Sequence, residues 1–304
     1  MIDSIAKIIE TAKTEKRNTI SVAGAHDSNV MQAVIMAHRQ GIIDAILVGH
    51  PEEITAMLKE SGEDLTHYTI VPADSLLDCA NTAVELCAQG KADFLMKGMS
   101  NTKDLMHAVL KKENHLRTGH LCAHYMFYQA PNHPRLIVMS DGGVNPFPDL
   151  KKKAEILETA AKAFQAFGYT KINAACICAA EYVNESVQSN LDAVALSEMT
   201  ERWAPYGMNV YGPTALDLAI SKEACEHKNY HIPGAGEADI LLMPNYEVGN
   251  AMWKASTIYG GVKGAGVILG ARIPLVVTSR SDSPECKMSS IALASILSSR
   301  MEFD

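Results

Sequence analysis

The chain has 304 residues, 47% of them hydrophobic, which is enough for two compact domains or one large one with a real core. Its 35 acidic residues outnumber 27 basic ones for a net charge of -8, and no cationic run exceeds the lysines at 151–153, which argues against a nucleic acid or an anionic membrane surface as partner. No stretch approaches the ~18 uncharged apolar residues of a membrane span, the first residues carry an early acid and lack a secretory pattern, and the seven cysteines show no paired spacing, so reduced thiols in a cytoplasm are expected.

Short apolar runs bounded by Gly, Pro, Asp or Ser recur from the start of the chain, at 20–25, 45–49, 69–72 and 94–97, and read as buried strands. Stretches with apolar residues at helical spacing follow at 29–40, 76–89 and 103–111. The run at 94–97 ends on Lys97 and leads through Gly98 to Asn101 and Thr102, so a cation sits at a strand end before a helix cap. Lys97 there is either a point charge for phosphate or a solvated lysine at the sheet rim.

After a polar crossing at 117–120 comes a strand-like stretch at 121–128, then a run at 136–140 that opens into Asp141-Gly142-Gly143-Val144-Asn145. The two glycines permit close approach of a ligand to backbone, and Asp141 and Asn145 can place polar groups; the same composition also describes an ordinary turn. A helix is expected over 151–167, with strands at 172–179, 208–211 and 240–244. Beyond the last of these, Asn250 and Lys254 share a helix face, as a polar wall or a solvated surface.

The pattern ends with strands at 267–270 and 275–278, the loop Thr278-Ser279-Arg280-Ser281-Asp282-Ser283, and a helix over 284–298. Ser283 before Pro284 makes a good N-cap and first-turn pair. Free backbone N–H groups and the positive end of the helix would then lie beside Arg280 and several hydroxyls, an anion site by composition. A capped helix with a surface arginine is the plainer description of the same residues. Two glycine pairs, Gly234/Gly236 and Gly264/Gly266, precede strands rather than follow them, which is not the order of a dinucleotide fingerprint.

Strands alternating with helices point to an α/β fold with parallel sheets and function in the loops at the strands' carboxyl ends. Residues 1–120 plus 270–304 are expected as a discontinuous first domain and 121–269 as the second.

Taken in order, Met96-Lys97-Gly98 with Thr102, residues 140–149, Gly212-Pro213 with Asp217, residues 238–254 and residues 278–283 resemble the phosphate acetyltransferase and phosphate butyryltransferase family across almost the whole chain. Residues 174–184 and the Ser-Arg-Ser-Asp-Ser form of the last loop look closer to the butyryl branch. The resemblance implies an isocitrate-dehydrogenase-like fold of two α/β domains with a cleft, assembled as homodimers or larger homo-oligomers. It implies the reaction acyl-CoA plus phosphate to acyl phosphate plus CoA, with short-chain acyl-CoA and phosphate as partners, CoA as substrate, and no separate cofactor or metal.

The family's catalytic Ser-Arg pair matches Ser279 and Arg280. Its Asp, seven residues after the Ser in the acetyl branch, is Cys286 here, so a general base is open between Asp282, Glu285 and substrate phosphate itself. Asn245 stands where family members commonly carry Asp. Lys97, Thr102, Asp141, Asn145, Asn250, Ser281 and Ser283 are the expected phosphate and substrate contacts. Metal- and NAD-dependent hydroxy-acid dehydrogenases of the same fold are the rival class.

Overall fold

A computed structural model describes residues 1–302 apart from 132, 134, 280 and 281. The chain divides into two compact α/β units, one formed by Ile5–His120 with the chain from Gly264 onward, the other by Met1–Ser4 with Leu121–Lys263. In chain order the first unit holds α1 (Ile5–Thr14), β1 (Asn18–Ala23), α2 (Ser28–Arg39), β2 (Ile43–Gly49), α3 (Pro51–Glu60), β3 (Tyr68–Pro72), α4 (Leu76–Ala88), β4 (Phe94–Lys97) and α5 (Thr102–Leu110). The second unit holds β5 (Ala123–Gln129), β6 (Ile137–Ser140), α6 (Leu150–Ala166), β7 (Ile172–Ile177), α7 (Gln188–Glu198), α8 (Thr200–Trp203), β8 (Met208–Thr214), α9 (Leu216–Ile220), α10 (Lys222–His227), β9 (Ile240–Leu242) and α11 (Tyr246–Ile258). The chain then returns as β10 (Lys263–Leu269), β11 (Leu275–Val276) and α12 (Pro284–Arg300).

In the first unit the strand order is β3-β2-β1-β4-β11-β10. The first five run parallel and β10 lies antiparallel to β11. Residues 264–269 therefore sit in this unit's sheet, ahead of the return at 270 that the sequence pattern marks. Ile20, Val22, Phe94, Leu95 and Met96 are fully buried, because helices cover both faces of a parallel sheet and leave no solvent side for alternation. Four helices that follow parallel strands open on a small polar cap: Asp27, Ser75, Asn101 and Ser283 each accept a backbone N–H of the first turn, whereas α3 opens on His50 and Pro51 without a side-chain cap bond. α12 packs against α1, α2 and β11 and is buried from Lys287 to Leu297, and after Lys287 this length of helix is made of apolar and small residues on every face.

The second unit's sheet runs β5-β6-β9-β7-β8, with β5 antiparallel to β6 and the others parallel. One of its core clusters joins Tyr128, Met139, Tyr211, Leu241 and Trp253. Asp149 caps α6 and Asn245 caps α11. Among the described residues no helix is long and apolar enough to cross a membrane.

Candidate functional site

In the first unit, register aligns the carboxyl ends of three neighbouring strands, with Val22 beside Met96 and Met96 beside Val276. The loops after β1, β4 and β11 consequently leave the sheet along one rim. Gly98 lies against the Gly24 carbonyl so closely that no side chain fits, and Gly98 N–H and Met99 N–H donate to Ala23 and Gly24. Lys97 is buried, and its ammonium donates to the carbonyls of Gly98 (3.1 Å) and Ser100 (3.3 Å), closing its own loop. Asn101 caps α5, and Thr102, its first residue, is exposed.

β11 stops at Val276, two residues short of the expected end, because 278 and 279 leave the ladder to build a turn. Ser279 and Asp282 face each other across it: the Ser279 N–H donates to the Asp282 carboxylate at 2.8 Å, and the Asp282 N–H donates to the Ser279 carbonyl at 3.2 Å. Ser283 then caps α12 by accepting the Cys286 N–H at 3.3 Å, with Pro284 in the first turn, as its sequence pattern requires. Glu285 is exposed in that same turn, where a carboxylate favours the helix and opposes a second anion. Arg280 and Ser281 lie outside the described residues.

Two side chains on this rim were not singled out from the sequence. Lys287, 2% exposed, reaches back one helical turn from the cap and donates to the Ser279 carbonyl at 2.6 Å. Burial lowers its pKa, and Asp282 and Asp27 oppose that shift. The signal was a lone cation just before a helical stretch, 288–299, made of apolar and small residues alone. His26, after β1, is buried and stacked on His50 at 4.3 Å; burial, then the neighbouring His50, lowers its pKa. Nothing in the local pattern marked it.

Cys286 is half-buried and its thiol donates to the Gly264 carbonyl at 3.3 Å. Burial, and then the Asp282 carboxylate, push the thiol up to about 12. That suits a structural thiol and not a nucleophile at neutral pH.

In the second unit, Asp141 follows β6 and is 1% exposed. One carboxylate oxygen accepts the N–H groups of Gly143 (2.8 Å) and Val144 (3.0 Å); the other accepts the Asn145 N–H (2.9 Å) and side-chain amide (2.6 Å). The Asn145 amide also donates to the Cys122 carbonyl at 2.9 Å. The start of α11 seats on this loop: Asn250 donates to the Gly142 carbonyl at 3.2 Å, and a side chain at Gly249 would come within 2.5 Å of the Asp141 carbonyl. Asp141, Asn145 and Asn250 thus converge on one turn and hold the Gly142–Gly143 backbone in place. Asn245 caps α11 by accepting the Val248 N–H at 3.0 Å. Among the described residues no group of three or more His, Cys, Asp or Glu is arranged to hold a metal ion.

The family model described as phosphate acetyl/butaryl transferase matches residues 4–79 and 68–295. The phosphate butyryltransferase of Clostridium acetobutylicum is 41% identical over 98% of this chain and 99% of its own. The phosphate acetyltransferase of Thermotoga maritima is 35% identical over 96% and 99%. Among solved structures, a branched-chain phosphotransacylase from Enterococcus faecalis V583 superposes with a TM-score of 0.83 at 30% identity, covering 93% of this chain and 100% of that one.

Proposed function

The chain belongs to the phosphate acetyl/butaryl transferase family, and from that premise we propose that it transfers a short-chain acyl group, butyryl first among them, from CoA to phosphate and back. The observation that carries the reading is that the family match runs through 278–283, where a closed turn precedes a capped helix N-terminus. Full-length relatives carry transferase names, which favours acyl transfer over a hydroxy-acid dehydrogenase of the same fold.

Transfer is direct, in a ternary complex. A phosphate oxygen attacks the thioester carbonyl, the carbonyl becomes a tetrahedral oxyanion, and its collapse expels CoA as thiolate. Arg280 neutralises charge on phosphate and oxyanion, and the Ser279 hydroxyl donates to the carbonyl oxygen or the leaving sulfur. The first turn of α12, with Ser281 and Ser283, receives the phosphate. Phosphate dianion is itself the nucleophile, so the forward direction needs no protein base; in reverse, Asp282 and Glu285 are the loop carboxylates that can take the thiol proton.

Lys97 and Asp282 act on this loop rim mainly by shaping backbone. In the second unit the Gly142–Gly143 backbone is the substrate-facing surface, with Asp141, Asn145 and Asn250 holding it. CoA enters as substrate, no resident cofactor is called for, and the enzyme works as a homo-oligomer in the cytoplasm.

The test is CoA release from acetyl-, propionyl-, butyryl- and isobutyryl-CoA with phosphate, with and without Mg²⁺. Each methylene buried in the acyl pocket is worth ~0.8 kcal/mol, so butyryl-CoA is expected to exceed acetyl-CoA in kcat/KM by roughly ten-fold. Phosphate-independent release, or none with any of the four thioesters, would sink the assignment.

A further inference from the structure

At the amino end of β11, away from the Ser279 turn, a second feature lies in the first unit. The segment after α5 carries Lys112, His115 and Arg117, and the short connection between β10 and β11 carries Arg272. The two are bonded together: Arg272 N–H donates to the Leu116 carbonyl at 2.9 Å, and the Thr118 hydroxyl donates to the Gly270 carbonyl. Leu116 is buried beneath and fixes the segment from below. Lys112, His115, Arg117, Arg272 and Thr118 line a cavity of about 620 Å³.

No carboxylate is in that lining, and among the described residues none of the four cations is ion-paired. In a chain of net charge -8 this is a marked local excess of positive charge. Glu113 is the one acid of the 112–118 segment and does not line the cavity; within the lining, two guanidinium groups, whose forks match phosphate bidentately, meet a lysine and an imidazole over a concave floor held by backbone hydrogen bonds. The volume is that of a nucleotide-sized ligand and not of a single orthophosphate. Arg272 and Ser279 are seven residues apart on either side of β11, which at about 3.3 Å per residue separates them by up to ~23 Å.

We propose that the pocket of Lys112, His115, Arg117 and Arg272 binds the diphosphate of a nucleotide-sized ligand, at a site separate from the Ser279 turn. Arg117 and Arg272 grip the phosphates, Lys112 and the His115 ring add charge, and the Thr118 hydroxyl, acting also as acceptor, marks the floor. The ligand chemistry has two sources, the phosphorylated adenosine end of CoA and a free nucleoside di- or triphosphate.

The experiment is calorimetric titration of inorganic pyrophosphate into the full chain, repeated in the Arg280→Ala background so that binding at the reacting site is told apart from binding in the pocket. Wild type is expected to bind with an affinity that falls as salt is raised. The Arg117→Ala/Arg272→Ala variant, altered only at exposed residues, should bind about ten-fold or more weakly, and Arg272→Lys should fall between. CoA displacing pyrophosphate while ATP does not assigns the site to CoA; the reverse assigns it to a nucleotide. Binding is read as heat, so it stands or falls apart from the acyl-transfer reading. Absence of pyrophosphate binding in wild type overturns the proposal, as does equal affinity in the double variant. Equal affinity together with a change of sedimenting mass would further give the four cations to a subunit contact.

Discussion

The ammonium of Lys287 donates to the main-chain carbonyl of Ser279 across 2.6 Å, so a buried cation on α12 is tied to the loop that follows β11. Lys287→Met removes the bond and leaves that carbonyl with the longer Asp282 N–H contact at 3.2 Å. A displacement of about 1 Å at a reacting group costs on the order of 100-fold, so kcat should fall by ten-fold or more, while KM for butyryl-CoA changes little. Lys287 also has a lower pKa folded than unfolded, where lysine's 10.5 applies. Between those values the unfolded chain binds more protons, so stability rises with pH there, and falls as pH is lowered to the folded value. Urea unfolding of wild type over that window should show the rise, and the Met variant should lack it. A folded Lys287→Met enzyme with wild-type kcat would remove the residue from any positioning role.

Cys286 takes the place of the acetyl branch's Asp, and its thiol at about 12 is protonated at neutral pH. Cys286→Ser is therefore expected to keep kcat within about three-fold, since no thiolate is being used. Initial-rate lines for CoA release should intersect. Parallel lines, joined to a loss of 100-fold or more in the Ser variant, would instead establish an acyl-cysteine.

For Arg280, the expectation comes from the motif alone. Arg280→Ala should lower kcat by ~100-fold, as loss of one preorganised donor does elsewhere, and Arg280→Lys should restore little because an ammonium lacks the bidentate fork. Ser279→Ala should act on the same parameter. Normal turnover in Arg280→Ala would displace the reaction from this loop.

Much of this architecture is legible along the chain because strands buried on both faces read as unbroken apolar runs, as Phe94-Leu95-Met96 does. Caps are legible for a similar reason: Ser283-Pro284 and Asn101 satisfy donors that every helix start leaves open. Pairings across the fold are less so. Asp141 looks like a ligand residue in a glycine loop, and only folding shows its oxygens consumed by the loop's own N–H groups. Lys287 is local to its loop, yet its direction depends on the burial of α12, which no spacing rule supplies. His26 meets His50 through the pairing of β1 and β2, a contact 24 residues apart in sequence.

The carboxylate of Asp141 accepts both backbone and side-chain donors inside one turn, and it does so buried. Asp141→Asn sets an amide N–H₂ against donors that are already facing inward. Charged hydrogen bonds of this kind carry ~1.5–3 kcal/mol, so the variant should lose about 2–3 kcal/mol in urea unfolding and show reduced kcat/KM. A variant as stable as wild type would show that water or a loop rearrangement replaces the carboxylate.

Lys153 on α6 and Asp192 on α7 form an ion pair at 2.6 Å with both side chains buried, and Gln188 donates to the second Asp192 oxygen at 2.8 Å. Desolvation consumes much of what such a pair gains, so its net contribution is small while it is whole. Breaking it is another matter. Lys153→Met leaves an uncompensated carboxylate in the interior, and the loss should be about 3–5 kcal/mol. Replacing both partners, Lys153→Met with Asp192→Leu, removes both charges and should recover most of that loss. Chemical unfolding of the two singles and the double gives the coupling energy directly. If the double variant is destabilised by the sum of the singles, the pair is not coupled, and α6 and α7 are held by their apolar contacts alone.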